Sequence, residues 1–538
     1  MQTGHITSTE WRWVVVISSL LVTLAFVPFL WVLISGLTDS DWQFMGALHG
    51  YQSTAVDLAH VFQGRQGNWQ SIYLHTSEVQ DSAWIAPVYT LLGQIARITT
   101  ISSVAIFHAA RVGAALFMYL TLYQLAASIW MRLRTRRIFF LLVAVGSGFG
   151  WFMAPLTGSD RFLDVSSPQA FPFYSTLINV HYPLAIGLMA LVSSIIVRIF
   201  RLGEAQNPSL SNEGLLMLVV GMLIAMVYPL AFVPVALAFG LGLVAHWWKW
   251  KTVPRLQVRW WVWFVVPAVP FLAYDVAVLL YNTPVSEVWM QQNRITTPNV
   301  FMLALSFGLV LILALPGMWR AVRRFESDGD QYMLLWIGVA LVLIYLPVFA
   351  QQRFTVGLMI PLAYFATRSL EDFWFNHIQR RWRMRLMFGF LPLIAATQLF
   401  VLLLPLRPIS ANDFSQASGL LLQRDYLVAF EWLRRNVGTG DVVLGAPRTS
   451  LWLPPWTGAS TVYGHPSVTL HPKLKRQTVE KWYGTETADH CEDLLNDYTV
   501  RYVLYGPQEM RLGDASCVLQ LGQPIRFGNV RIYRYIRD

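Results

Sequence analysis

Two carboxylates stand two residues apart at Asp39-Ser40-Asp41, directly after a long apolar run. At the outer end of a membrane span such a carboxylate is partly desolvated. Its proton affinity then rises, which suits it to take a proton from a hydroxyl. The same pair, Asp39 and Asp41, offers oxygen ligands to a divalent cation such as Mg or Mn. Asp is also a common helix cap, so a structural use stands beside the chemical one. A second group is cationic and sits near the ends of apolar runs. Arg353, in Gln352-Arg353-Phe354, would hold a phosphate at headgroup height, because a guanidinium meets phosphate oxygens two at a time. His181, in Asn179-Val180-His181-Tyr182-Pro183, could touch phosphate or a metal. Arg294 and Arg161 repeat the Arg353 idea more weakly, and Arg111, with His108, falls in the outer half of an apolar run, facing its interior.

Further candidates lie in polar stretches. His75, Glu78 and Asp81 follow the acid pair. Near the C-terminus, Trp456 in Leu453-Pro454-Pro455-Trp456-Thr457-Gly458 could stack on a sugar ring, and His465, Lys473 and Lys475 could reach anionic groups. A solvated loop is the plainer use of all these residues. Asp275 is an ionisable residue inside an apolar run, a position that points to function by default.

The elements that must place these groups follow from composition. Of 538 residues only 13% are charged, about half the soluble share of about 25%, and 55% are hydrophobic. So few charges cannot coat a globule of this size. A soluble enzyme, a disordered chain and a small disulfide framework are excluded. The first apolar run, Trp13 to Leu37, is too long for a signal-peptide core and no small-residue cleavage site follows it, so it reads as a retained helix. Further runs lie at about 101–130, 138–156, 177–198, 214–228, 230–248, 260–281, 300–319, 333–350, 354–369 and 386–405. The split inside 214–248 is set at Tyr228-Pro229, since proline removes a donor and clashes with the preceding turn.

Charge supports about eleven spans. The net charge is +10, but the basic residues cluster in alternate short loops, such as Arg132 to Arg137 and Arg380 to Arg385. The other short loops hold only Arg161, Arg294 and Arg353. That bias places the N-terminus inside and the C-terminus outside, and it points to a membrane rather than to nucleic acid. Two outer regions are then long: a first loop, 38–100, and a tail, 406–538. Within the loop, apolar residues recur at helical spacing from Phe44 to Phe62, so 42–62 is expected to be an amphipathic helix beside the bilayer, weakened by Gly46 and Gly50. In the tail, helical patterns at 424–437, 472–483 and 489–498 alternate with strand-like runs at 441–446, 461–464, 501–505 and 526–536, which suggests a small α/β domain. The expected organisation is a transmembrane module, 1–405, including the first loop, and a tail domain. Cys491 and Cys517 are the only cysteines, and both fall on the oxidising side in this topology. A bridge between them would add about 3–4 kcal/mol by closing their loop.

A first span, an acidic D-x-D pair at its outer end and a long outer loop with membrane-surface helices resemble the GT-C class of integral membrane glycosyltransferases. Pro87-Val88-Tyr89, Leu92-Gly93-Gln94-Ile95-Ala96-Arg97 and Phe107-His108-Ala109-Ala110-Arg111 look like the run that many bacterial members carry into the second span. Gln352-Arg353-Phe354 looks like the turn before a late span in such proteins, and a small extracytoplasmic α/β domain after the last span is common among them. The lysine- and proline-rich signature of the aminoarabinose-transferase branch is absent.

The resemblance implies transfer of a hexosyl or pentosyl unit from a polyprenyl-phosphate-linked donor to a hydroxyl of a glycan, lipid or protein, in cell-envelope glycan synthesis at the cytoplasmic membrane. Phosphate is already a good leaving group, so the residues needed are a base, Asp39 or Asp41, and cationic help, Arg353 with His181, Arg111 or Arg294. One displacement without an enzyme nucleophile inverts the anomeric carbon. Glu78, Trp456, His465 and Lys473 would then line the acceptor side. Two rivals stand beside this reading: a transporter or flippase of a lipid-linked substrate, and a non-catalytic GT-C-like assembly subunit.

Overall fold

The computed structural model describes residues 6–38, 41–200, 206–326, 328–347, 349–410, 419–484, 491–513 and 516–536. Most of the chain is helical because long apolar runs can satisfy their backbone polar groups only within themselves when water is absent. Among the described residues, seven helices are long and apolar enough to cross a membrane: Ser8–Ser35, Ser103–Ile129, Leu133–Thr157, His181–Ile199, Pro229–Trp250, Arg255–Tyr281 and Val300–Arg324. Glu213–Val227, Gly329–Tyr345 and Ala396–Leu406 are shorter apolar helices. The chain breaks at Tyr228, where φ is −157° and ψ 86°, and a new helix starts at Pro229. Proline drives the residue before it out of the helical region.

The chain forms two compact units. One comprises residues 1–26, 110–274 and 294–404, the other 27–109, 275–293 and 405–538. A boundary thus falls next to the expected one at residue 405, and the first loop groups with the tail.

The first unit is a helical bundle around Tyr119, Tyr123, Phe139, Phe140, Trp336 and Tyr364, all fully buried. Two of its helices are interrupted at one crossing. The Leu133–Val145 helix stops at Gly146 and resumes at Gly150, and Gly308 kinks the Val300–Arg324 helix with φ +44°. Phe149 N–H donates to the Leu305 carbonyl at 2.9 Å. A Cβ on Gly148 would lie 2.1 Å from that same oxygen, so only glycine allows the approach. The buried Asp164 carboxylate accepts from Gly148 and Gly150 N–H at 3.1 and 2.9 Å and so caps the restarted helix.

Among the described residues the second unit contains seven strands. β1 (Trp42–Phe44) pairs antiparallel with β2 (Leu421–Gln423), Trp42 opposite Gln423. The other five are β3 (Val442–Leu444), β4 (Ser460–Thr461), β5 (Val500–Tyr505), β6 (Ile525–Phe527) and β7 (Val530–Arg534), in the order β4-β3-β5-β7-β6. β4, β3 and β5 run parallel, and β7 and β6 are antiparallel to their neighbours. The Arg424–Asn436 helix buries Tyr426, Ala429, Phe430 and Leu433, a single helical stripe. Cys491 and Cys517 form a disulfide with Cα atoms 5.3 Å apart.

The first loop corrects the sequence expectation. Its helix spans Tyr51–Arg65, not 42–62, because 42–44 is strand and Gly46 and Gly50 take left-handed φ of +95° and +55°. It is buried from Thr54 through Gly64, so its polar residues Asp57 and His60 face the interior instead of water. The amphipathic helix is the next one, Pro87–Thr99, which buries Tyr89, Leu92 and Ala96 and exposes Leu91, Ile95 and Ile98. The two helices cross at Gly64 and Gly93. A Cβ on Gly93 would stand 2.2 Å from the Val61 carbonyl oxygen.

Candidate functional site

Arg353 lies in a single 3-10 turn, Gln351–Thr355, that follows Ala350 at φ +68°. Side chains far away in sequence fix this turn. Gln352 donates to the Ser167 hydroxyl at 2.6 Å, Gln169 donates to the Gln352 carbonyl at 3.3 Å, and Gly357 N–H donates to the Gln169 carbonyl at 3.0 Å. The Arg353 guanidinium donates to the Tyr182 hydroxyl.

The His181–Ile199 helix opens with both His181 and Tyr182, and Asn179 accepts from Tyr182 N–H at 3.3 Å. The third ring comes from Tyr228, at the break before Pro229. The ring centroids of His181 and Tyr182 are 4.2 Å apart, those of Tyr182 and Tyr228 5.4 Å, and those of His181 and Tyr228 5.6 Å. Arg353, His181 and Tyr228 are half-buried and Tyr182 is buried. The Tyr182 and Tyr228 hydroxyls and the His181 ring flank the guanidinium, and none of the three is a carboxylate. A cation in such surroundings is costly until an anion reaches it. Its free donors, with two phenols alongside, can take up the oxygens of a phosphate.

Of the acid pair, Asp39 lies outside the described residues. Asp41 is exposed in the bend before β1, where its carbonyl accepts from Arg424 N–H at 3.0 Å. The β1–β2 pair therefore sets its position. Among the described residues no three His, Cys, Asp or Glu side chains converge as metal ligands.

The remaining candidates separate. Arg111 is buried, donates to the Leu177 carbonyl at 2.7 Å and lies 4.3 Å from the Phe26 ring centroid, so packing engages it. Arg294 is exposed in the coil before the Val300–Arg324 helix. Glu78 is held by Lys475 at 2.5 Å. Burial by itself would raise its carboxyl, but hydrogen bonds from Lys475 and Thr76 and the Lys475 charge hold it below the ordinary range. Lys475 is the buried lysine of its helix, and Lys473 is exposed. Trp456 is half-buried in the short Leu453–Thr457 helix. His465 is 5% exposed and turned inward, which removes it from any open surface. Asp275 is half-buried within the Val269–Tyr281 helix.

No family model matches the chain, and no curated protein does. Solved structures do. Over 93% of this chain and 69% of the other, it superposes on the Archaeoglobus fulgidus oligosaccharyltransferase tethered to an acceptor peptide, with 13% identity and a TM-score of 0.53. The apo form of that enzyme gives 12% identity and 0.53 over 92% and 69%. Its complex with an inhibitory peptide and a dolichol-phosphate gives 12% and 0.50 over 95% and 72%. This chain shares the fold of that oligosaccharyltransferase. With that fold and, among the described residues, seven apolar helices of spanning length, it is an integral membrane protein.

The tertiary structure brings together Arg353 and His181, which the sequence proposed separately. Sequence reasoning gave no role to Tyr182, Tyr228, Ser167 or Gln169. Only the Asn179–Pro183 and Tyr228-Pro229 motifs, noted for their helix ends, carried a signal for the two tyrosines.

Proposed function

We propose that the protein is a glycosyltransferase that moves a sugar from a polyprenyl-phosphate carrier to an acceptor on the extracytoplasmic face. The Arg353 cluster carries this reading: a guanidinium with two phenols and an imidazole, none of the three a carboxylate. The fold likeness adds support, since the Archaeoglobus enzyme of the same fold is seen with a dolichol-phosphate.

In the proposed reaction the acceptor oxygen attacks the anomeric carbon. The bond from that carbon to the phosphate oxygen breaks, and its electron pair leaves on the phosphate. Asp41 or Asp39 takes the acceptor proton, and Arg353 with His181, Tyr182 and Tyr228 stabilises the phosphate charge. The phosphate leaves without protonation, so no general acid is assigned. The single displacement inverts the anomeric carbon. The acceptor is a hydroxyl on a glycan, lipid or protein. The acceptor peptide tethered to the Archaeoglobus enzyme supports testing peptides among them.

The membrane arrangement proposed with it has eleven spans, N-terminus inside and tail outside, and it rests on the basic loops. The exposed ridge of Leu91, Ile95 and Ile98 would then lie in the bilayer surface. The test is transfer by the detergent-purified protein from candidate polyprenyl-phosphate sugars. Wild type should form product, and Asp39→Asn or Asp41→Asn should lose about 100-fold or more in kcat if that acid is the base. Equal product from wild type and both variants would remove the base assignment, and retained donor binding after Arg353→Ala would remove the phosphate assignment.

A further inference from the structure

The second unit buries a line of titratable groups that the proposed reaction does not use. A strap of the first loop, residues 71–78, lies against the tail loop 460–470. Thr461 N–H donates to the Leu74 carbonyl at 3.1 Å, the Thr469 hydroxyl to the His75 carbonyl at 2.6 Å, and Leu470 N–H to the Thr76 hydroxyl at 3.2 Å. His75 and His465 meet in this seam, ring centroids 6.2 Å apart and edge to face. Both are buried, at 0% and 5% exposure.

Hydrogen bonds fix the tautomer of each ring. His75 Nε2 lies 3.0 Å from the Leu451 carbonyl oxygen and must carry the proton, which leaves Nδ1 as a lone pair with no partner among the described residues. His465 Nδ1 accepts from Ser467 and Val468 N–H at 3.0 and 3.1 Å, so its proton is on Nε2, also unpartnered among the described residues. A proton added to His465 Nδ1 would face two N–H donors, and the 465–468 turn could not survive it. A proton added to His75 would be buried against a second imidazole. Among the described residues no third metal-ligating side chain converges with the two rings.

We propose that this seam is an acid-released latch: it holds the strap to the tail loop while His75 and His465 are neutral, and opens when they take up protons. The latch does not depend on which reaction the chain catalyses. His60 of the Tyr51–Arg65 helix acts on His75, Tyr73 of the strap meets the His60 ring edge-on with Asp57 nearby, and Lys475 of the tail pairs with Glu78 at the end of the strap. Burial holds His75 down to about 4 and His465 down to about 3, the latter helped by the neighbouring His75. His60 is likewise held down to about 3, first by burial and then by His75. Burial raises the Asp57 carboxyl, and Glu78 is already paired with Lys475.

The sign follows from linkage. The open state binds protons near the ordinary histidine value and the closed state does not, so closure is complete above about pH 6.5 and is lost as pH falls below it. At pH 5 each imidazole favours opening about 30-fold, and the two together about 1000-fold.

Hydrogen exchange on the full-length protein in detergent, corrected for the intrinsic pH dependence, tests this. Amides of 71–78 and 464–470 should lose about 1000-fold in protection between pH 7 and pH 5, while β5 in the same tail keeps its own. In His75→Gln/His465→Asn, Gln Nε2 and Asn Oδ1 replace the bonded ring nitrogens without titrating, so that loss should vanish. Wild-type protection that stays constant from pH 7 to 5, or falls equally in β5, overturns the latch whether or not the variant folds. A variant that folds and keeps the wild-type pH dependence overturns it too.

Discussion

The guanidinium of Arg353 donates a hydrogen bond to the hydroxyl of Tyr182, a residue 171 positions earlier that stands beside His181 at the start of a membrane-spanning helix. A cation so placed is held in geometry by a neutral group and is not neutralised by it. An incoming anion therefore gains most of the charge interaction.

Removing the charge should be far worse than removing the phenol. Arg353→Ala is expected to lower kcat/KM about 100-fold or more. Arg353→Lys should recover only part of this, because a point charge replaces a planar fork. Tyr182→Phe keeps the charge and should cost about tenfold. Steady-state kinetics with a lipid-linked sugar decide it, and a Tyr182→Phe loss as large as that of Arg353→Ala would argue against the charge as the main contribution.

Membrane sidedness can be read by cysteine labelling, since both native cysteines are used in the disulfide. Ser211→Cys and Lys473→Cys place single thiols at an exposed or partly exposed helix-flanking site and in the tail. An impermeant maleimide on intact cells should modify the second and leave the first until the membrane is opened. Labelling of both from one side contradicts the eleven-span arrangement.

The helix crossing of the first loop makes a stability prediction. Gly93→Ala would bring a Cβ to 2.2 Å from the Val61 carbonyl and 2.6 Å from Arg65 N, both backbone atoms that cannot swing aside. The expected cost is about 1–3 kcal/mol, seen as a lower melting temperature in detergent. Gly113→Ala meets nothing within 4 Å and serves as the control that should stay near wild type.

The tail disulfide spans a sequence separation of 26. A loop of that length stabilises by about 3.5 kcal/mol through the unfolded state. Cys491→Ser/Cys517→Ser should therefore lower the melting transition under oxidising conditions, and wild type should match it after full reduction. Two equal transitions in oxidising buffer would show that the bridge adds nothing.

The sequence by itself determined the class of molecule. The scarcity of charge and the apolar runs required membrane helices, Pro229 required a break after Tyr228, and the alternation of strand and helix patterns beyond residue 420 required an α/β tail. These features are legible because each follows from local composition or from a local backbone rule. The candidate site was only partly legible: Arg353 and His181 stood out as polar residues near the ends of apolar runs, but nothing local connected them to each other or to Tyr228. Only tertiary structure decided that the Tyr51–Arg65 helix lies inside and the Pro87–Thr99 helix presents its apolar ridge, that Arg111 and His465 are engaged in packing, and that the first loop joins the tail in one unit. Each of those outcomes depends on which buried polar groups find partners from distant segments, and spacing along one chain does not contain that information.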